Sequence, residues 1–323
     1  MKQILPAASL VLSLYGASIG YASNEVAGAV AKSPSPSPMG TEVVFEADPG
    51  GPFTLWIIGV DGKHLGRLTA NPGTDEEPAW SPDGKAIAFA STTTGATDIW
   101  SIQPDGSHRR QLTSHALNNR EPAWSPDGKH LAFVSDRGGT NDIWIMDADG
   151  SSPKRLTQLP GEENHPSFSP KGDQVVFSET IQDAATLMIV NVDGAHVQPL
   201  TTGRAHDWNP SWSLHGIVFS SDRGGSEHWM IWQIQPDGTG LAHVGQTVGL
   251  DPVRLPDGRI LFSDEMGHSG AISDLAVLDP LGGSKQPVTD IASVVQNCNL
   301  IHRIKTLFRK KTGQPGDPEN LCG

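Results

Sequence analysis

The chain has 323 residues, with 36 Gly, 25 Pro, nine Trp against two Tyr, and a formal net charge of −13. So many Gly and Pro mark many turns, hence many short strands. A surface of this sign repels nucleic-acid phosphates and anionic lipid head groups, which argues against both as partners and favours cations, basic peptides or basic protein faces.

The first element in chain order is a targeting segment. Lys2 precedes a mostly apolar run from Ile4 to Tyr21, and Gly20 and Ala22 form a small-x-small site before Ser23. This pattern predicts a signal peptide over residues 1–22 and a periplasmic or secreted protein. The alternative is a membrane anchor, but Pro6, Ser9, Ser13 and Gly16 interrupt a run already marginal for a span of about 20 residues. No stable membrane insertion is expected after cleavage. Residues 23–31 then read as a short linker.

From there the sequence repeats itself. Leu68-Thr69, Leu112-Thr113, Leu156-Thr157 and Leu200-Thr201 recur every 44 residues, and Val244 and Val288-Thr289 continue the series. The pairs Asp61-Gly62, Asp105-Gly106, Asp149-Gly150, Asp193-Gly194 and Asp237-Gly238 keep the same step. So do Pro78, Pro122, Pro166 and Pro210, with Pro252 two residues early. Three registers held in step define a tandem array. Within residues 120–157, four short runs of strand character are separated by Pro/Asp/Gly turns, one antiparallel meander per repeat. Four strands in about 40–45 residues is the arithmetic of a propeller blade. The sequence therefore predicts an all-β, six-bladed β-propeller over residues 32–293, with blades near 32–75, 76–119, 120–163, 164–207, 208–249 and 250–293. The first unit is degenerate: Ser33-Pro34-Ser35-Pro36-Ser37-Pro38 occupies the place of an inner strand, and proline removes ladder donors. That stretch reads equally as a Ser-Pro linker, in which case ring closure would borrow a strand from elsewhere, the tail being one candidate.

The run Glu77-Pro78-Ala79-Trp80-Ser81-Pro82-Asp83-Gly84-Lys85, repeated at 121–129 and followed each time by Asp-Ile-Trp, Asp-Gly and Leu-Thr, resembles the WD40-like (PD40) repeat of TolB-type propellers. The resemblance covers residues 32–293. It departs from TolB in that only about ten residues separate the signal from the first blade, where TolB carries an α/β domain. A direct TolB role is accordingly not implied.

Binding in propellers concentrates on the face carrying the mouth of the central channel. The residue before each aligned proline falls there: Glu77, Glu121, His165, Asn209 and Asp251, with Ser33 as a weak sixth. Convergent carboxylates can hold a hard cation, so Glu77, Glu121 and Asp251 are candidate Ca²⁺ ligands; alternatively, the ring residues hydrogen-bond to neighbouring blades and water. The related repeats of oligogalacturonate lyases imply a metal held by channel-mouth side chains, histidines among them, although only His165 stands in this ring. Arg137 and Arg223 share one slot in two Asp-Arg-Gly-Gly loops and are further candidates for ligand contact or for pairing with adjacent acids. Thirteen acidic residues map to this face, which either attracts a basic ligand or simply solvates the surface. Trp56, Trp100 and Trp144 are blade packing at equivalent positions; Trp208 and Trp229 break that register and are candidates for exposure.

The tail, residues 294–323, alternates Leu300, Ile301, Ile304, Leu307 and Phe308 with a basic run through Lys311, which predicts a short amphipathic helix docking on the acidic propeller or on a partner. Cys298 and Cys322 are a candidate disulfide in an oxidising compartment. The one Gly-x-Ser-x-Gly lies within the signal (Gly16 to Gly20), and no H-E-x-x-H, phosphate loop or zinc-spaced cysteine pair occurs. The expected function is thus a non-catalytic, monomeric binding module for a protein or peptide. The alternative is a metal-assisted polysaccharide lyase or hydrolase using the central channel. Apart from a possible Ca²⁺, no cofactor is implied.

Overall fold

Phe45, Phe89, Phe133, Phe177, Phe219 and Phe262 recur on the second strand of six successive sheets, each at 1% exposure or less. A computed structural model describes residues 30–48, 51–114, 118–225, 228–265, 273–279 and 285–288. The signal, the tail helix and the Cys298–Cys322 pair lie outside these residues. Among the described residues, twenty-four strands form six four-stranded sheets, each a meander of consecutive antiparallel strands: residues 30–67, 75–111, 119–155, 162–199, 207–248 and 250–287. This is the six-bladed propeller that the repeat predicts, and no helix occurs among the described residues.

Two-residue alternation of side chains decides how blades meet. In the strand Glu42–Asp48, Val43 and Phe45 face Leu255, Leu261 and Leu275 of blade 6, whereas Val44 joins Ile87 and Phe89 of blade 2. The scheme holds around the ring, so each phenylalanine packs against the preceding blade and every seam carries its own apolar cluster. Burial on both faces explains why the second strands read as nearly continuous apolar runs, as in the wholly buried strand Ile87–Ser91 with only Ser91 polar.

The recurrent Leu-Thr pair also has a structural cause. Thr69, Thr113, Thr157 and Thr201 accept the N–H groups of Leu55, Ile99, Ile143 and Leu187 at 2.9–3.0 Å, tying the blade's outer edge to its third strand. The Asp-Gly turns close similarly: Asp61 Oδ1 accepts the Lys63 N–H at 3.1 Å and Gly62 adopts φ 79°, a region glycine enters without strain.

The first blade corrects the alternatives left open for the Ser-Pro stretch. Val30–Pro36 is a true inner strand, paired with Glu42–Asp48, and blades 1 and 6 meet through their own side chains with no strand exchanged among the described residues. Pro34 is tolerated because the ladder is interrupted between Lys32 and Ser35, where no donor is required.

Candidate functional site

The same interruption recurs in every inner strand, between Glu76 and Ala79, Asn164 and Ser167, Trp208 and Ser211, and Leu250 and Val253, and also in blade 3. At each bulge stands one ring residue in the left-handed region: Ser33, Glu77, Glu121, His165, Asn209 and Asp251, with φ between 51° and 56°. Each is followed by proline, which bars the right-handed helical alternative for the residue before it. A non-glycine residue there costs about 1–2 kcal/mol, so six in register need compensation from their surroundings.

That compensation runs from blade to blade. The Glu121 N–H donates to Glu77 Oε2 at 2.8 Å, the His165 N–H to Glu121 Oε2, and the Ser33 N–H to Asp251 Oδ2 at 3.0 Å. The Asn209 side-chain amide donates to Asp251 Oδ1. Ser33 brings no carboxylate, and Glu46, fully buried on the second strand, fills the gap. It accepts the Ser33 hydroxyl at 2.9 Å and the Glu77 N–H at 2.8 Å, and pairs with Lys32 at 3.1 Å.

These residues surround a cavity of about 470 Å³ at the channel mouth. Its electrostatics are strained toward the acid side. Burial pushes the Glu77 carboxyl well above the usual range, and repulsion from Glu121 and Glu46 adds to it; the Glu121 N–H and Arg120 only partly oppose the rise. Burial also raises Glu46, against the pull of Lys32. Arg120 pairs with Glu121 at 3.3 Å. His165 holds Nε2 3.8 Å from Glu121, while its Nδ1 is buried with no hydrogen-bond partner among the described residues.

The wall at blade 5 is aromatic. Trp208 and Trp229 both line the cavity and stack with ring centroids 5.1 Å apart at 16°. His206 meets both edge-on at 5.9 and 6.1 Å, and is held by Asp222 at 2.7 Å. Sequence reasoning found no role for this pair, although its departure from the Trp56–Trp100–Trp144 register was the available signal.

The profile of the TolB β-propeller domain matches residues 20–108, and that of the Tricorn protease N-terminal β-propeller domain matches residues 92–184. A putative TolB from Agrobacterium tumefaciens superposes with TM-score 0.64 at 23% identity, over 71% of this chain and 87% of that one. The chain has the fold of a TolB-type propeller. TolB from Acinetobacter baumannii also superposes with TM-score 0.64, at 22% identity over 76% of this chain, which spans only 62% of that relative's length. An oligogalacturonate lyase in complex with manganese gives TM-score 0.59 at 14% identity, over 80% of this chain and 77% of that one. No curated protein matches.

In this propeller five of the seven candidate contact residues, Glu77, Glu121, His165, Asn209 and Asp251, line one cavity, and Arg137 and Arg223 do not line it. Arg137 lies over the Phe133 and Trp144 rings at 5.4 and 4.7 Å and donates to Asn119 Oδ1 at 2.7 Å. Arg223 forks onto buried Asp207, with Nε–Oδ1 at 2.9 Å. Several acids of this face are likewise spent internally, as Asp75 is on Arg109 at 3.1 Å. For a cation, the candidate ligands Glu77 and Glu121 each have one oxygen committed to a neighbouring N–H, and no group of three or more His, Cys, Asp or Glu among the described residues is placed to hold a metal. Also among the described residues, no helix is long and apolar enough to cross a membrane.

Proposed function

We propose that this protein is an exported binding module that receives a protein or peptide at the channel-mouth face and catalyses no reaction there. One observation carries the reading: a cavity open at the channel mouth is lined on one side by a stacked tryptophan pair, and its carboxylates already serve as acceptors for neighbouring blades. Side chains tied into the scaffold this way make a pre-organised recognition surface and poor proton carriers. The TolB likeness is compatible with a periplasmic setting and supports the fold only.

Site-specific photocrosslinking tests it. A crosslinker in place of Trp229 is expected to trap a discrete partner from the envelope fraction, and one in place of Asp127, on the opposite rim, to trap none. Equal labelling at both positions, or none at Trp229, would overturn the reading. The rival, a metal-assisted polysaccharide lyase or hydrolase at His165, requires cleavage of an acidic oligosaccharide with added Mn²⁺ or Ca²⁺ that disappears in His165→Ala.

A further inference from the structure

The chain shows how it handles tryptophan beside an acid. Arg109 lies over the Trp100 ring at 4.9 Å while donating to Asp75, and Arg137 lies over Trp144 at 4.7 Å. A guanidinium is planar and weakly hydrated, so it stacks on an indole face while its N–H groups reach a carboxylate. The Trp208–Trp229 pair is the same kind of surface facing a cavity, and no Lys or Arg among the described residues is placed over it.

Charge identifies what would cover it. Four carboxylates, Glu46, Glu77, Glu121 and Asp251, border the cavity, against Lys32 on its wall and Arg120 behind Glu121. Blade 2, carrying Glu77, and blade 5, carrying the tryptophans, stand opposite each other in a six-membered ring. An entering group thus meets an aromatic platform on one side and uncompensated acid on the other. Sugars also stack on indoles, but a neutral sugar leaves that acid unmatched, and a uronate adds to it.

Resting on the binding-module reading, we infer that the cavity receives a cationic side chain of the partner, arginine above all, seated on Trp208 and Trp229 with its charge toward the ring carboxylates. The neighbouring blades supply a fixed, partly desolvated mouth, in which a cation–aromatic contact counts for more than on open surface.

The test titrates the full chain with acetyl-Arg-Gly-Arg-amide, its Lys and citrulline analogues, and trigalacturonate, following tryptophan fluorescence at 150 mM salt. The arginine peptide is expected to bind at least tenfold tighter than the citrulline peptide, and several-fold tighter than the lysine one. Trp229→Ala and Trp208→Ala should each weaken it tenfold or more, and Glu77→Gln several-fold. Trp229→Leu, which keeps apolar volume, covers the case in which Trp208→Ala fails to fold, and it should weaken binding as Trp229→Ala does. Equal affinity for the arginine and citrulline peptides, or arginine binding indifferent to both tryptophans, sinks the inference. Crosslinking of a partner at Trp229 would in that event still uphold the binding module. Tight binding of trigalacturonate, lost in Trp229→Ala, would overturn both.

Discussion

Glu46 and Glu77 illustrate what single side chains settle in this protein. Glu46 holds two blades together by accepting from Ser33 and from the Glu77 backbone. Glu77 does the same for Glu121, and its burial, with repulsion from Glu121 and Glu46 added, raises its pKa. A carboxyl that keeps its proton more tightly in the folded than in the unfolded chain stabilises most below its ordinary value near 4.5, and that contribution is lost as pH rises through the folded value. Glu77→Gln retains an acceptor for the Glu121 N–H without the charge. It is therefore expected to raise Tm at pH 7.5 by about 2–4 °C, the shift that about 1 kcal/mol produces, with the gain vanishing by pH 4.5. Thermal melts across pH would check it, and a gain that persists at pH 4.5 would contradict the assignment. Arg137 behaves as a packing residue: Arg137→Ala should cost about 1–2 kcal/mol in denaturant unfolding through lost stacking and hydrogen bonding. Peptide affinity at the channel should be unchanged.

At the scale of the strand, the bulge is the device on which the site depends. In blades 1 to 4 it turns the ring residue's N–H out of the ladder and toward a carboxylate of the neighbouring blade, and it leaves room for the proline that follows. The Leu-Thr latch is the second device. Thr69→Val keeps the shape and leaves the Leu55 N–H without its hydroxyl acceptor, an expected loss of about 1–3 kcal/mol measurable by equilibrium unfolding. Both devices were legible in the sequence as spacing, because Pro78, Pro122 and Thr69, Thr113 recur with the blade; the six-bladed fold and its ring positions follow from that recurrence. What spacing does not carry is departure from it. Glu46 replaces a missing ring carboxylate from a different strand, and Arg109 reaches Trp100 from a position unlike that of Arg137 above Trp144. Trp208 and Trp229 come from separate parts of blade 5 and meet only when the chain folds. The site is built from these exceptions, so it was only partly readable.

Across the whole molecule, stability is shared among six similar seams instead of residing in one central core. Phe133 fills the seam between blades 2 and 3. Phe133→Ala should cost about 3–5 kcal/mol, and because the same packing recurs around the ring, Phe219→Ala should cost a similar amount. Chemical denaturation of the two variants would show this, and a strongly unequal pair would mean that one seam dominates.

Among the described residues, the seam between blades 6 and 1 is closed by side-chain packing and by the Ser33 N–H held on Asp251, with no strand common to both. A load applied between Val30 and Val288 therefore meets, among the described residues, no shear-resistant ladder joining the two ends. Such a ring should part first at that junction and then pay out chain blade by blade. Each release would lengthen the tether by roughly 150 Å for about 44 residues. A force-extension trace with several such increments is the mechanical signature of a ring without a clasp; one abrupt extension of the whole would reveal a locked hoop.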